Sequence, residues 1–144
     1  MKLRDIVFSL LVLGVVVIFY PVRIVGNSMF PTLHNGDLAL CSRLSSIDRF
    51  DVVVVNVDNV KIIKRVVGLP NETIEYKDNK LYINGEQVQD KYNNGYTKDF
   101  KYSLKDNEYF CLGDNRENSK DSREYGGFLR NQIVGEKIYE ITKK

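Results

Sequence analysis

Asp51-Val52-Val53-Val54-Val55-Asn56-Val57-Asp58-Asn59-Val60-Lys61-Ile62-Ile63-Lys64-Arg65-Val66-Val67-Gly68-Leu69 sets two β-branched runs on either side of a short polar break. Val and Ile are stiff at χ1 and pack well on a pleated surface, so each run predicts a strand. The break at residues 56–59 predicts the turn between them, and Gly68-Leu69-Pro70 ends the second. Further strands are expected at residues 37–42, 72–76, 80–83, 108–112 and 132–141. Lys77-Asp78-Asn79 and Asn84-Gly85 are hairpin signals. Residues 45–50 read as a polar turn, residues 87–102 as a polar surface excursion and residues 115–127 as a long polar loop. The expectation is a mainly β domain, built as an antiparallel β-sheet or barrel-like body.

At 144 residues the chain has room for one such core. Its formal charge of +2 is too small for a nucleic-acid footprint. Residues 6–22 hold no charge, about 25 Å if helical, near the short limit for a bilayer span. Lys2, Arg4 and Arg23 flank the run and can snorkel. The first two place the N-terminus in the cytoplasm and the rest outside. The predicted organisation is residues 1–22 as cytoplasmic N-terminus and transmembrane anchor, then residues 23–144 as an extracytoplasmic β domain. A cleaved signal peptide would share the charge-then-apolar order, but no A-x-A-like pair of small residues follows the run.

Just beyond it stands Gly26-Asn27-Ser28-Met29-Phe30-Pro31-Thr32-Leu33-His34-Asn35-Gly36-Asp37, rich in turn formers. Ser28 is a loop serine or an exposed nucleophile. Eight residues past Tyr20 reach at most about 28 Å, which keeps Ser28 near the membrane surface. Met29 and Phe30 then face lipid or substrate, or pack into the core. A nucleophilic serine needs a base. His34, the one histidine, reads as a solvated turn residue, and no Ser-x-x-Lys arrangement occurs. Lys64 is the other candidate, because strand alternation puts it on a face with Ile62 and Val66. Desolvation there would lower its pKa from about 10.4. The alternative is a lysine that snorkels or pairs with an acid. Gly113-Asp114-Asn115-Arg116-Glu117-Asn118-Ser119-Lys120-Asp121-Ser122-Arg123 is dense enough in polar groups to cross-link itself as a support. It does not follow the EF-hand calcium-loop order, since Arg116 takes the third position.

Taken together, the blocks G-N-S-M-F-P-T-L-H-N-G-D, D-V-V-V-V, K-R-V-V-G-L-P and G-D-N-R-E-N-S-K-D-S-R resemble, in order, those of the bacterial type I signal peptidases, in their single-anchor, Gram-positive-like form. The resemblance implies a signal-peptidase-type β fold and a membrane-bound serine endopeptidase that removes signal peptides from secreted preproteins, with no cofactor and no metal. It implies Ser28 as nucleophile and Lys64 as neutral general base. Ser119 would orient the Lys64 amine, and Asp121 and Arg123 would brace the loop. The Ser28 N–H would be one oxyanion donor. Gly26 stands where some members carry a second, leaving the Asn27 side chain or a backbone N–H for that place. A substrate strand would lie between residues 24–27 and 60–63, against Ile24, Val25, Gly26, Met29, Lys61, Ile62 and Ile63, with small side chains at the first and third positions before the cut. The partners implied are preproteins and membrane lipid, without nucleic acid.

Two readings stand for Cys41 and Cys111: a disulfide, or two buried thiols. Two other functions stand beside the peptidase. One is a catalytically silent relative assisting surface-protein or pilus assembly. The other is a self-cleaving repressor, which would need a DNA-binding domain where this chain has its apolar run.

Overall fold

The computed structural model describes residues 2–43 and 46–141. Helix α1 (Leu3–Ile18) leads into strand β1 (Phe19–Arg23). The strands β2 (Leu38–Ser42), β3 (Val52–Val57), β4 (Val60–Gly68), β5 (Thr73–Lys77), β6 (Lys80–Ile83) and β7 (Glu86–Val88) follow. After them come β8 (Phe100–Ser103), β9 (Glu108–Leu112), the short helix α2 (Ser122–Tyr125) and β10 (Phe128–Leu129). A 3-10 turn (Arg130–Gln132) then precedes β11 (Ile133–Gly135) and β12 (Lys137–Glu140). The predicted antiparallel, mainly β domain is what the chain forms, as three sheets ordered β1-β2-β12, β10-β9-β4-β3-β11 and β7-β6-β5-β8.

The hairpins sit where the sequence put them. Val57 pairs with Val60 around Asp58-Asn59, Lys77 with Lys80 around Asp78-Asn79, and Ile83 with Glu86 around Asn84-Gly85. All six central residues have positive φ. Two-residue turns of that hand match the twist of the strands they join, and Asn, Asp and Gly tolerate it best. Val67, Ile74, Tyr76, Leu81, Phe110 and Leu112 form one core, where β5 and β6 meet β4 and β9. Val53, Val55, Val66 and Cys111 centre a second, and Ile24, Met29, Leu33 and Ala39 a third.

Four expectations need correcting. The apolar run at residues 6–22 is not one helix. It breaks after Ile18, and Phe19–Arg23 pairs with β2 from Phe19↔Ser42 to Arg23↔Leu38. Pro21 explains the break: it removes a helix donor and pushes Tyr20 out of the α region. The 16-residue α1 is about 24 Å long, and among the described residues no helix is long and apolar enough to cross a membrane. The strand expected over residues 132–141 is two strands in different sheets, β11 on β3 and β12 on β2, separated at Glu136. The surface excursion at residues 87–102 contains the end of β7, all but the last residue of β8 and a fully buried Thr97. The polar loop at residues 115–127 contains α2, capped by the Asp121 side chain on the Arg123 amide. Of the turn expected at residues 45–50, Ser45 lies outside the described residues.

Candidate active site

The serine loop is tied down at both ends by its own turn residues. Ile24 donates to the Asp37 carbonyl at 2.9 Å, Gly36 to the Ile24 carbonyl at 2.8 Å, and Gly26 to Asn35 Oδ1 at 2.9 Å. The buried Asp37 carboxylate accepts from the His34 amide at 2.8 Å. Met29 and Leu33 sink into the third core, joined by a Leu33 N–H···O=C Met29 bond of 3.0 Å. Ser28 therefore rides on an anchored turn. Met29 packs inward, while Phe30 stays 43% exposed with its edge against the half-exposed His34 ring.

Lys64 Nζ donates to Ser28 Oγ at 2.8 Å and to its neighbour's carbonyl, Ile63 O, at 3.0 Å. Lys64 is 3% exposed and pairs in register with the fully buried Val53. Burial pushes its pKa below the ordinary lysine value. The carboxylates of Asp121 and Asp114 pull the other way, Arg123 adds to the depression, and the net effect is downward. Cys111, also beside it, is driven upward by burial and stays a thiol.

Under the pair lies the polar loop. Asp121 is fully buried; its Oδ2 accepts from Gly113 N (2.9 Å), Ser119 Oγ (2.7 Å) and Arg123 Nη2 (2.8 Å). Its Oδ1 takes Arg123 Nε at 2.8 Å. Ser119 thus gives its proton to Asp121, and its oxygen remains an acceptor. Asn115 binds the serine loop twice, its amide to Ser28 O at 3.0 Å and its side chain to Asn27 O at 3.1 Å. At Gly113, a Cβ would stand 2.1 Å from Ser119 Oγ and 2.6 Å from the Ser28 carbonyl oxygen. The residue there has to be glycine for the two loops to meet.

A second tie joins β4 to both loops. Arg65 makes a two-pronged bond to Asp114, Nε to Oδ1 and Nη2 to Oδ2, both 2.7 Å, and both residues are buried. Thr32 in the serine loop donates to the same carboxylate at 2.5 Å. The Tyr92 ring covers the guanidinium at 3.5 Å. Reading the sequence missed the Arg65–Asp114 pair: its signal was only an arginine inside an apolar strand and an acid inside a polar loop.

A cleft of about 340 Å³ opens at the Ser28–Lys64 pair. Ile24, Val25, Gly26, Met29, Lys61, Ile62 and Ile63, singled out above, all line it. One wall is the first half of β4. Strand β9 pairs with β4 only from Arg65 onward, so among the described strands none covers residues 60–64 on the side away from β3. Asn27, also singled out above, is not among the residues lining the cleft; its carbonyl accepts from the Asn115 side chain at 3.1 Å. Cys41 and Cys111 are free and buried, in different sheets.

The chain as a whole is similar to known proteins. Residues 2–141 match the family described as "Signal peptidase, peptidase S26". The signal peptidase I S of Bacillus subtilis is 41% identical over 136 residues, covering 82% of this chain and 74% of the relative. The signal peptidase I of Streptococcus pneumoniae is 31% identical over 185 aligned positions, covering 96% and 91%. The crystal structure of a signal peptidase I from Enterococcus faecalis superimposes with a TM-score of 0.58 at 32% identity, covering 68% of this chain and 98% of that one.

Proposed function

Because the chain belongs to the signal peptidase, peptidase S26, family and is a serine hydrolase acting on peptide bonds, we propose that it removes signal peptides from preproteins with Ser28 as nucleophile and Lys64 as base. The observation that carries this is the 2.8 Å contact between a hydroxyl at a cleft and an amine that burial has pushed toward its neutral form. Ser28 Oγ bonds to the scissile carbonyl carbon as its proton passes to Lys64 Nζ. The C–N bond then breaks, and the same proton goes to the leaving amine. Water, deprotonated by the neutral Lys64, cleaves the resulting ester, and Ser28 regains its proton. The oxyanion is met by preorganised N–H donors, with Ser28 N–H as the first. Such a donor is worth roughly 3–4 kcal/mol in other acyl-transfer sites. Asp121, Ser119 and Arg123 hold the surroundings of the amine rather than reacting.

The substrate adds as a strand against residues 60–63 on one side and 24–27 on the other. Main-chain bonds supply affinity and alternate pockets supply selectivity. The cleft wall of Ile24, Met29 and Ile63 leaves room for small side chains.

The same reading puts α1 in lipid, with the N-terminus cytoplasmic and the β domain outside. Leu3, Phe8, Leu10, Leu11 and Leu13 are each at least 60% exposed along α1. An apolar face of that size is costly in water. Lys2 and Arg4 snorkel, and the bilayer thins to meet a short helix.

The test is incubation of the purified chain in mixed lipid vesicles with a preprotein, beside Ser28→Ala and Lys64→Ala. Cleavage at one site by the native chain alone is expected, with flotation of the protein on the vesicles. Cleavage by Ser28→Ala would overturn the mechanism, and a native chain that stays in the aqueous phase would overturn the lipid assignment.

A further inference from the structure

The segment between β7 and β8 reads in the sequence as a surface excursion, yet it is bonded to both the serine loop and the polar loop. Asp90 lies at its head. The carboxylate accepts from Arg116 Nη2 at 2.6 Å and from the Tyr92 amide at 3.0 Å, and the Tyr76 hydroxyl also donates to it. Arg116, 2% exposed, spends its remaining donors on Tyr76 Oη (2.7 Å), Thr97 Oγ1 (3.2 Å) and the Gly113 carbonyl (2.9 Å). Burial pushes the Tyr76 phenol well above its ordinary value, so it keeps the proton it donates. Further along, Asn94 N bonds to Asp114 O at 3.0 Å, and Asn94 O accepts from Arg116 N at 2.9 Å. The Asn94 side chain reaches Phe30 O, two residues past the serine, at 3.3 Å.

We propose that residues 90–97 are a strap that holds the reacting geometry, with Asp90 as its positioning residue. Asp90 acts through Arg116 on Gly113. Gly113 N is bonded to Asp121, and its Cα is packed so closely on Ser119 and Ser28 that no methyl fits. A buried arginine whose carboxylate is removed must find other partners, and the loop carrying Gly113 is the part free to move. A shift of about 1 Å at a reacting pair can cost on the order of a hundredfold in rate. No strap residue lines the cleft, so substrate affinity should be spared. This inference rests on the proposed peptidase reaction and deepens it.

The experiment compares the native chain, Asp90→Asn and Asn94→Ala in vesicles on one preprotein, reading kcat, KM, the acid limb of the pH profile and thermal unfolding. Asp90→Asn is expected to lower kcat roughly ten- to hundredfold with KM within about twofold. Its acid limb should move to higher pH, as water reaches Lys64 among Asp121, Asp114, Arg123 and Cys111. Asn94→Ala loses only the exposed side chain that reaches Phe30 O, so it should fold and lower kcat severalfold. Should Asp90→Asn fail to fold, Asn94→Ala decides the matter. A folded Asp90→Asn with native kcat and acid limb overturns the proposal. So does a loss confined to KM, or, where only Asn94→Ala folds, a native kcat in that variant. No cleavage by the native chain would instead overturn the reaction itself.

Discussion

Lys64 Nζ lies 2.8 Å from Ser28 Oγ although the two residues are 36 positions apart in the chain. The contact costs stability, because an amine that prefers water is held 3% exposed. Lys64→Met should therefore abolish cleavage, by at least about 10⁴-fold as in other serine hydrolases stripped of their base. It should also raise the melting temperature at neutral pH. A calorimetric scan beside an activity assay checks both, and a lowered melting temperature would show that the amine's bonds outweigh its burial.

The direction of the Lys64 shift fixes a pH dependence. Its folded pKa is below the unfolded lysine value, so in the window between the two the unfolded chain binds the extra proton. Stability from this group consequently rises with pH across that window and stays at its lowest below it. Activity rises through the lower, folded pKa as the amine becomes neutral. A pH–rate profile on the native chain should show one acid limb followed by a plateau, and a flat profile over the range where the protein is folded would contradict a neutral lysine base.

Gly113→Ala puts a methyl 2.6 Å from the Ser28 carbonyl oxygen and 2.1 Å from Ser119 Oγ. Overpacking of this kind costs about 1–3 kcal/mol. The larger effect should be on rate, roughly a hundredfold in kcat, since the displaced atoms belong to the serine loop. Urea unfolding and steady-state kinetics on one preparation separate the two.

Asp114→Ala leaves the Arg65 guanidinium buried without its two-pronged partner. Removing one member of such a pair costs about 3–5 kcal/mol, against near zero for an exposed pair such as Lys101–Glu75. Chemical denaturation of Asp114→Ala beside Glu75→Ala measures the contrast.

Cys41 and Cys111 are unpaired and buried in separate sheets. Reductant should leave the melting temperature unchanged. A thiol reagent should label neither cysteine in the folded chain and both after unfolding, which mass spectrometry reads directly.

The sequence alone determined what depends on neighbours in the chain. Residues 51–69 gave a hairpin because β-branched runs favour a pleat and Asp58-Asn59 tolerates positive φ. The ordered blocks around Ser28, Lys64 and residues 113–123 gave the candidate site only through the family they resemble, since each block alone left the roles of Ser28 and Lys64 open. Tertiary structure decided the rest. Pro21 bars the helix locally, but it was the pairing with β2 that made Phe19–Arg23 a strand, and that partner lies outside residues 6–22. The tertiary structure also paired Arg65 with Asp114 and Asp90 with Arg116 across 49 and 26 positions. Such pairs form only where the sheets bring two buried charges together, and no local propensity or period records which charges those are.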